Sequence, residues 1–171
     1  VKTVLLFPVL AYLLLAYFTS GGPVRRAVGA VRRYWPALVA AVVVTLDQLT
    51  KRWVVATLGP DTMTNFIPIV GDTVRIAYSR NTGVAFSMFQ GHPELLTIVA
   101  LLILGGAVAF YATQLPNHRT IVQLIMGLIV GGALGNIVDR IRLGYVVDFV
   151  QVGWFPIFNV ADSAISVGAA L

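Results

Sequence analysis

Three stretches of this chain, Pro36–Leu58, Leu95–Leu115 and Ile121–Ile141, are apolar over nearly their whole length. A helix needs about 20 such residues to cross the hydrocarbon of a bilayer, so each reads as a membrane-spanning helix. Two shorter stretches join them. Val4–Phe18 precedes the basic cluster Arg25, Arg26, Arg32 and Arg33, and a run from Asn159 reaches Leu171 after a dozen residues. That last run is too short to span, which reads as an incomplete helix. Composition closes off the soluble alternative. Of 171 residues, 58% are apolar and 11% charged, and mean hydropathy is +0.86. A soluble domain of this size needs far more polar surface. The fold class expected is an all-α polytopic integral membrane protein.

The net charge of +5 belongs to loop orientation in such a protein. No basic stripe with interleaved aromatics points to nucleic acid. With no cysteine, disulfides, thiolate catalysis and Cys-ligated metals are excluded. His92 and His118 lack partners at metal-ligand spacing, so no metal site is expected. Val4–Phe18 reads as a signal peptide or an extra helix. No A-x-A-like site follows it, which favours the helix. The arginines before Pro36 place that side in the cytoplasm. The 59–94 and 142–158 loops then face outward. Lys51, Arg52, Arg75, Arg80, Arg140 and Arg142 run against the rule, so several of them must be paired or functional.

Within the first outer loop, Val74, Ile76 and Tyr78 alternate with Arg75, Ala77 and Ser79, the period of a half-buried strand. Asn81-Thr82-Gly83 reads as a turn, and 84–89 as a returning strand. A small extracytoplasmic β element is therefore expected.

Ionisable residues inside membrane helices carry a functional expectation. Asp47 and Lys51 are four apart and share a helix face; they either lock helix packing or serve function. Gly127, Gly131 and Gly135 form a small-xxx-small stripe for close helix approach. Asn136 and Arg140 continue that face, into the bundle and toward the outer loops. Asp139 is placed to pair with Arg142. Asp148 lies in an extended, apolar segment. Asp162 follows Asn159 by three, the spacing of a capping box; capping alone is one reading of it. The other joins it to Asp148. Two carboxylates at a dry site resist ionising together, and such a pair activates water and protonates a leaving group. The helix N-terminus favours charged Asp162, making it the base and Asp148 the acid. A transporter lined by the same polar residues and a scaffold held by them stand as rivals. Neither a G-x-S-x-G elbow nor a phosphate-binding glycine loop is present.

DQLTK at 47–51, NTGVAF at 81–86, GGALGNIVDR at 131–140, VVDF at 146–149 and FNVADSA at 158–164 together resemble the lipoprotein signal peptidase family (signal peptidase II), in its order and spacing over about Pro36–Leu171. The resemblance implies a four-helix transmembrane peptidase core at 36–171. Residues 1–35 are then an extra hydrophobic segment and basic cytoplasmic linker. It implies an aspartic endopeptidase of the bacterial inner membrane, its active site at the extracytoplasmic face. The enzyme cuts diacylglyceryl-modified prolipoproteins just before the lipidated cysteine, works as a monomer among membrane lipid without cofactor or metal, and is a target of globomycin. By the match Asp148 and Asp162 form the dyad. Asn81, beside Gly83, contacts substrate backbone; Asn136 and Arg140 line the pocket. Asn159 orients the dyad, while Asp47 and Lys51 hold the scaffold. Phe149, Trp154 and Phe155 are expected to exclude water and seat near headgroups. Val84, where the family often has Ala, is a departure.

Overall fold

The first of the three long apolar stretches turns Asp47 and Lys51 inward and large apolar side chains outward. A computed structural model describes residues 34–59, 65–71, 73–83, 93–116 and 118–171. The readings of Val4–Phe18, of the linker before Tyr34, of Val84 and of a strand over 84–89 fall outside these residues. Helix α1, Trp35–Leu58, buries Ala40, Val43, Asp47, Lys51, Val54 and Leu58. These recur at intervals of three and four, one stripe of a helix. Leu38, Val42, Leu46, Leu49 and Trp53 lie exposed. A polar stripe under an apolar coat is how a helix sits in lipid, where ionisable groups must face protein.

Helix α2 is Pro93–Gln114 and helix α3 is Thr120–Leu143. Both are long and apolar enough to cross a membrane. The 24-residue α1 is as long but carries Asp47, Lys51 and Arg52. Helix α4, Val160–Ala170, starts after its N-cap Asn159. Strands β1 (Phe66–Val70), β2 (Val74–Asn81) and β3 (Val146–Val152) form an antiparallel sheet in the order β1-β2-β3.

Helix α3 packs on both α1 and α4 through glycines. A methyl group added at Gly131 would stand 2.7 Å from Val43 Cβ and 2.9 Å from Ala40 Cα. At Gly135 it would stand 2.7 Å from Asp47 Oδ2, and at Gly132 it would run into the Ala161 carbonyl of α4. The stripe read from sequence therefore faces α1 and ends against Asp47, while Gly132 serves the opposite neighbour.

The sheet rests on the far end of α1, where Val54, Leu58, Tyr78, Val147 and Phe149 make one buried cluster. The alternation expected in β2 breaks at Ala77 and Tyr78, both buried. Between Ile76↔Val150 and Ser79↔Asp148 the β2 strand spends three steps against two on β3, a β-bulge. A one-residue slip moves every later side chain to the other face. Beyond the bulge, Asn81 lies opposite Val146 and diagonal to Asp148 on one face. The partners of β2 are β1 and β3. β1 escaped the sequence reading because Pro68 interrupts it, and proline is tolerated in an edge strand such as this.

Candidate active site

Asp148 and Asp162 are fourteen positions apart, and local geometry closes the gap. Gly144, at φ 79°, ends α3 in the left-handed region that glycine adopts without strain. The chain then enters β3. Gly153, at φ 51°, turns it back. Phe158 pairs with Val150, accepting from Val150 N at 2.8 Å and donating to Val150 O at 3.1 Å. The next residue, Asn159, is thereby set beside Asp148.

Asn159 is fully buried at 0% exposure and works in both directions. Its Oδ1 accepts from Asp162 N at 2.9 Å, and Asp162 Oδ2 accepts from Asn159 N at 3.2 Å. This is a complete capping box. Its Nδ2 donates to Asp148 Oδ1 at 2.7 Å, with Asn136 Oδ1 at 3.1 Å and Val147 O at 3.3 Å sharing the second hydrogen. Asn159 thus bonds to Asp148 while its capping box holds Asp162, so the cap and a pairing of the two carboxylates, alternatives on sequence, are compatible.

Asp148 is 2% exposed. Its Oδ2 accepts from Asn81 Nδ2 at 2.8 Å, and Gly83 N donates to Asn81 Oδ1 at 3.0 Å. Burial and then the repulsion of Asp162 push its carboxyl up to about 7, against the two amides and the Lys51 charge, which act downward. A carboxyl balanced between its two forms near neutrality suits proton transfer. Asp162 is half-buried, and its Oδ1 accepts from Asn136 Nδ2 at 2.7 Å. Arg140 is also half-buried. It donates from Nη2 to Gly83 O at 3.4 Å, and its charge acts on Asp162, Asp148 and Asp139.

Asp47 and Lys51 pair at 2.8 Å, as their spacing implies. Asp47 Oδ1 also accepts from Ala161 N at 3.0 Å, tying α1 to the first turn of α4. The pairing expected between Asp139 and Arg142 is not formed. Asp139 is buried against α1, where it meets Lys51 at 2.9 Å and Gln48 Nε2 at 2.8 Å. Arg142 is exposed and reaches Gln48 Oε1 at 3.5 Å. A buried carboxylate is better served by a desolvated cation on a neighbouring helix than by a solvated one three residues on. Gln48 had no assigned role, although it stands within DQLTK; its helical neighbour Asp47 was the available signal.

Of the six cations that broke the loop-charge rule, Arg52 is exposed and the other five have partners. Arg75 donates to Gln151 Oε1 at 2.8 Å and stacks on Phe66, while Arg80 donates to the Tyr78 hydroxyl at 3.0 Å and stacks on Tyr145. Among the aromatics expected to exclude water, Phe149 is buried. Trp154 is 92% exposed and Phe155 about half exposed. They follow the Gly153 turn, and Phe155 makes an edge-on ring contact with Phe158. Among the described residues no group of three or more His, Asp or Glu is placed to hold a metal ion.

The sequence profile of signal peptidase (SPase) II matches residues 39–171. A lipoprotein signal peptidase of Rhodococcus jostii (strain RHA1) is 42% identical over 158 residues, covering 89% of this chain and 77% of the relative. Another, from Halothermothrix orenii, is 37% identical over 134 residues, covering 78% of this chain and 89% of the relative. A solved bacterial membrane enzyme superposes with a TM-score of 0.70 at 32% identity, covering 79% of this chain and 82% of that one.

Proposed function

This chain belongs to the signal peptidase II family, integral-membrane aspartic peptidases that remove signal peptides from prolipoproteins, and from that premise we propose that Asp148 and Asp162 are its catalytic dyad. The observation that carries the proposal is the Asn159 side chain, which donates to Asp148 and caps the helix that presents Asp162. One residue thus fixes both carboxylates.

The half-buried Asp162 is the base and the buried Asp148 the acid. Asp162 takes a proton from water as the oxygen attacks the scissile carbonyl. Asp148 gives its proton to the carbonyl oxygen. Collapse of the tetrahedral diol returns a proton to Asp148 and delivers one to the leaving amine. Asn81 and Gly83, at the end of β2, lie where substrate backbone would pass. Arg140, facing both aspartates, balances charge as the diol forms. No metal or organic cofactor is required.

The substrate is a prolipoprotein whose cysteine already carries diacylglycerol, cut just before that cysteine. Its acyl chains stay in lipid while the scissile bond meets the sheet end of the helices. Helices α1–α4 belong to one transmembrane core at 36–171, and residues 1–35 are an addition to it. The dyad faces the extracytoplasmic side of the bacterial inner membrane, and the monomer suffices.

A gel-shift cleavage assay in detergent tests this reading. It would compare a diacylglyceryl-modified prolipoprotein with its unlipidated form, using wild type, Asp148→Asn and Asp162→Asn, all verified as folded. Cleavage of the lipidated form alone, lost in both variants, is expected. Full activity in either variant refutes the dyad.

A further inference from the structure

Lys51 carries one more contact than an ion pair between two helices needs. Its Nζ meets Asp47 Oδ2 at 2.8 Å, Asp139 Oδ2 at 2.9 Å and Asn136 Oδ1 at 3.1 Å. Three acceptors match the three N–H groups of an ammonium. The first two join α1 to itself and to α3. The third reaches the amide that touches Asp162. An amide has an acceptor end and a donor end. A cation on the oxygen leaves only Nδ2 to face Asp162 Oδ1, at 2.7 Å. Asp139 extends the same arrangement to the other carboxylate. Its Oδ2 also accepts from Val147 N at 3.1 Å, the amide just before Asp148.

We propose that Lys51 and Asp139 are positioning residues for the dyad, Lys51 by orienting Asn136 onto Asp162 and Asp139 by fixing the β3 backbone beside Asp148, and that together they set how many protons the two aspartates share. The inference rests on the dyad reading above. The charged groups around the dyad are Asp47 and Lys51 from α1, Asp139 and Arg140 from α3, Asp148 from β3 and Asp162 from α4. The sheet strand β2 brings the neutral Asn81. With one proton on the dyad, three carboxylates face two cations. Removing Lys51 leaves one cation and favours protonation. Removing the Asp139 charge does the reverse.

The two residues thus have opposite electrostatic signatures, which a purely structural role does not produce. The experiment is the pH profile of kcat/KM on a lipidated prolipoprotein in detergent. It covers wild type, Lys51→Gln, Lys51→Arg and Asp139→Asn, with Asp148→Asn and Asp162→Asn as blanks. A unit charge about one amide length beyond hydrogen-bond contact, at an effective dielectric of about 20, moves a titration by about one pH unit. Lys51→Gln is expected to move both limbs up by about that much, and Asp139→Asn to move them down. Lys51→Arg, which keeps the charge, leaves the limbs in place whatever its rate. Folded Lys51→Gln and Asp139→Asn enzymes with slower rates and unmoved limbs would overturn the inference. If Lys51→Gln does not fold, Asp139→Asn decides alone, a fall supporting the inference and a fixed limb refuting it. Cleavage surviving in either blank would instead sink the dyad reading itself.

Discussion

Replacing Asp148 by Asn should stabilise the protein in a pH-dependent way. The folded-state carboxyl titrates at about 7, against an ordinary value of 3.8. The folded chain therefore holds a proton that the unfolded chain has released. Stability from this residue is complete below the unfolded value and is lost as pH rises through the folded one. About three pH units at 1.36 kcal/mol each make that loss roughly 4 kcal/mol between about pH 4 and pH 8. Asn cannot lose a proton, so the variant escapes it. It also forfeits one hydrogen bond, because an amide N–H must face the donor of either Asn81 or Asn159, at a cost of about 1 kcal/mol. The variant should then be more stable than wild type by about 3 kcal/mol near pH 8, about equal to it near pH 4.5 and less stable by about 1 kcal/mol near pH 3. Thermal unfolding in detergent, followed by circular dichroism across that range, reads the crossing. At roughly 2–4 °C per kcal/mol for a chain of this size, the difference in Tm should swing by about 10 °C. Parallel Tm curves for wild type and variant would refute the reasoning, since Asp148 would then carry no buried titration.

Further outcomes follow from the same contacts. Gly132→Ala should cost about 1–3 kcal/mol by overpacking against the Ala161 carbonyl and lower cleavage, because that carbonyl belongs to the first turn of α4, which carries Asp162. Gly105→Ala, where an added methyl meets nothing within 4 Å, should leave cleavage unchanged and raise thermal stability slightly, Ala being the better helix former by about 1 kcal/mol. Asn159→Ala removes a cap worth about 1 kcal/mol and leaves Asp148 short of a donor, so a total loss of about 3 kcal/mol is expected in thermal unfolding, with cleavage abolished. Asn81→Ala removes a donor that holds the Asp148 carboxyl down, so the alkaline limb of the pH–rate profile should move up, with kcat/KM falling by about tenfold or more.

Local rules carried much of this structure in the sequence. Apolar runs of bilayer length mark α1, α2 and α3 to within about two residues, because lipid demands continuous helix. The Asn159–Asp162 spacing marks the start of α4, because a capping box is a contact between near neighbours. Asp47 and Lys51 pair as helical neighbours do. What stayed hidden depends on partners distant in sequence. The bulge at Ala77–Tyr78 exists only in register with β3, yet it turns Asn81 toward Asp148. Asp139 offers Arg142 within its own helix, and only the close approach of α1, permitted by Gly131 and Gly135, supplies Lys51 instead.

The central claim is that two aspartates share one proton at the moment of cleavage. The most direct test is kcat/KM of the wild-type enzyme on a lipidated prolipoprotein between about pH 4 and pH 9. A bell is expected, rising as the pair loses its first proton and falling around 7 as Asp148, last to ionise, gives up the second. A rate that keeps climbing through the alkaline range would contradict the account, because no carboxylate would then need to hold a proton.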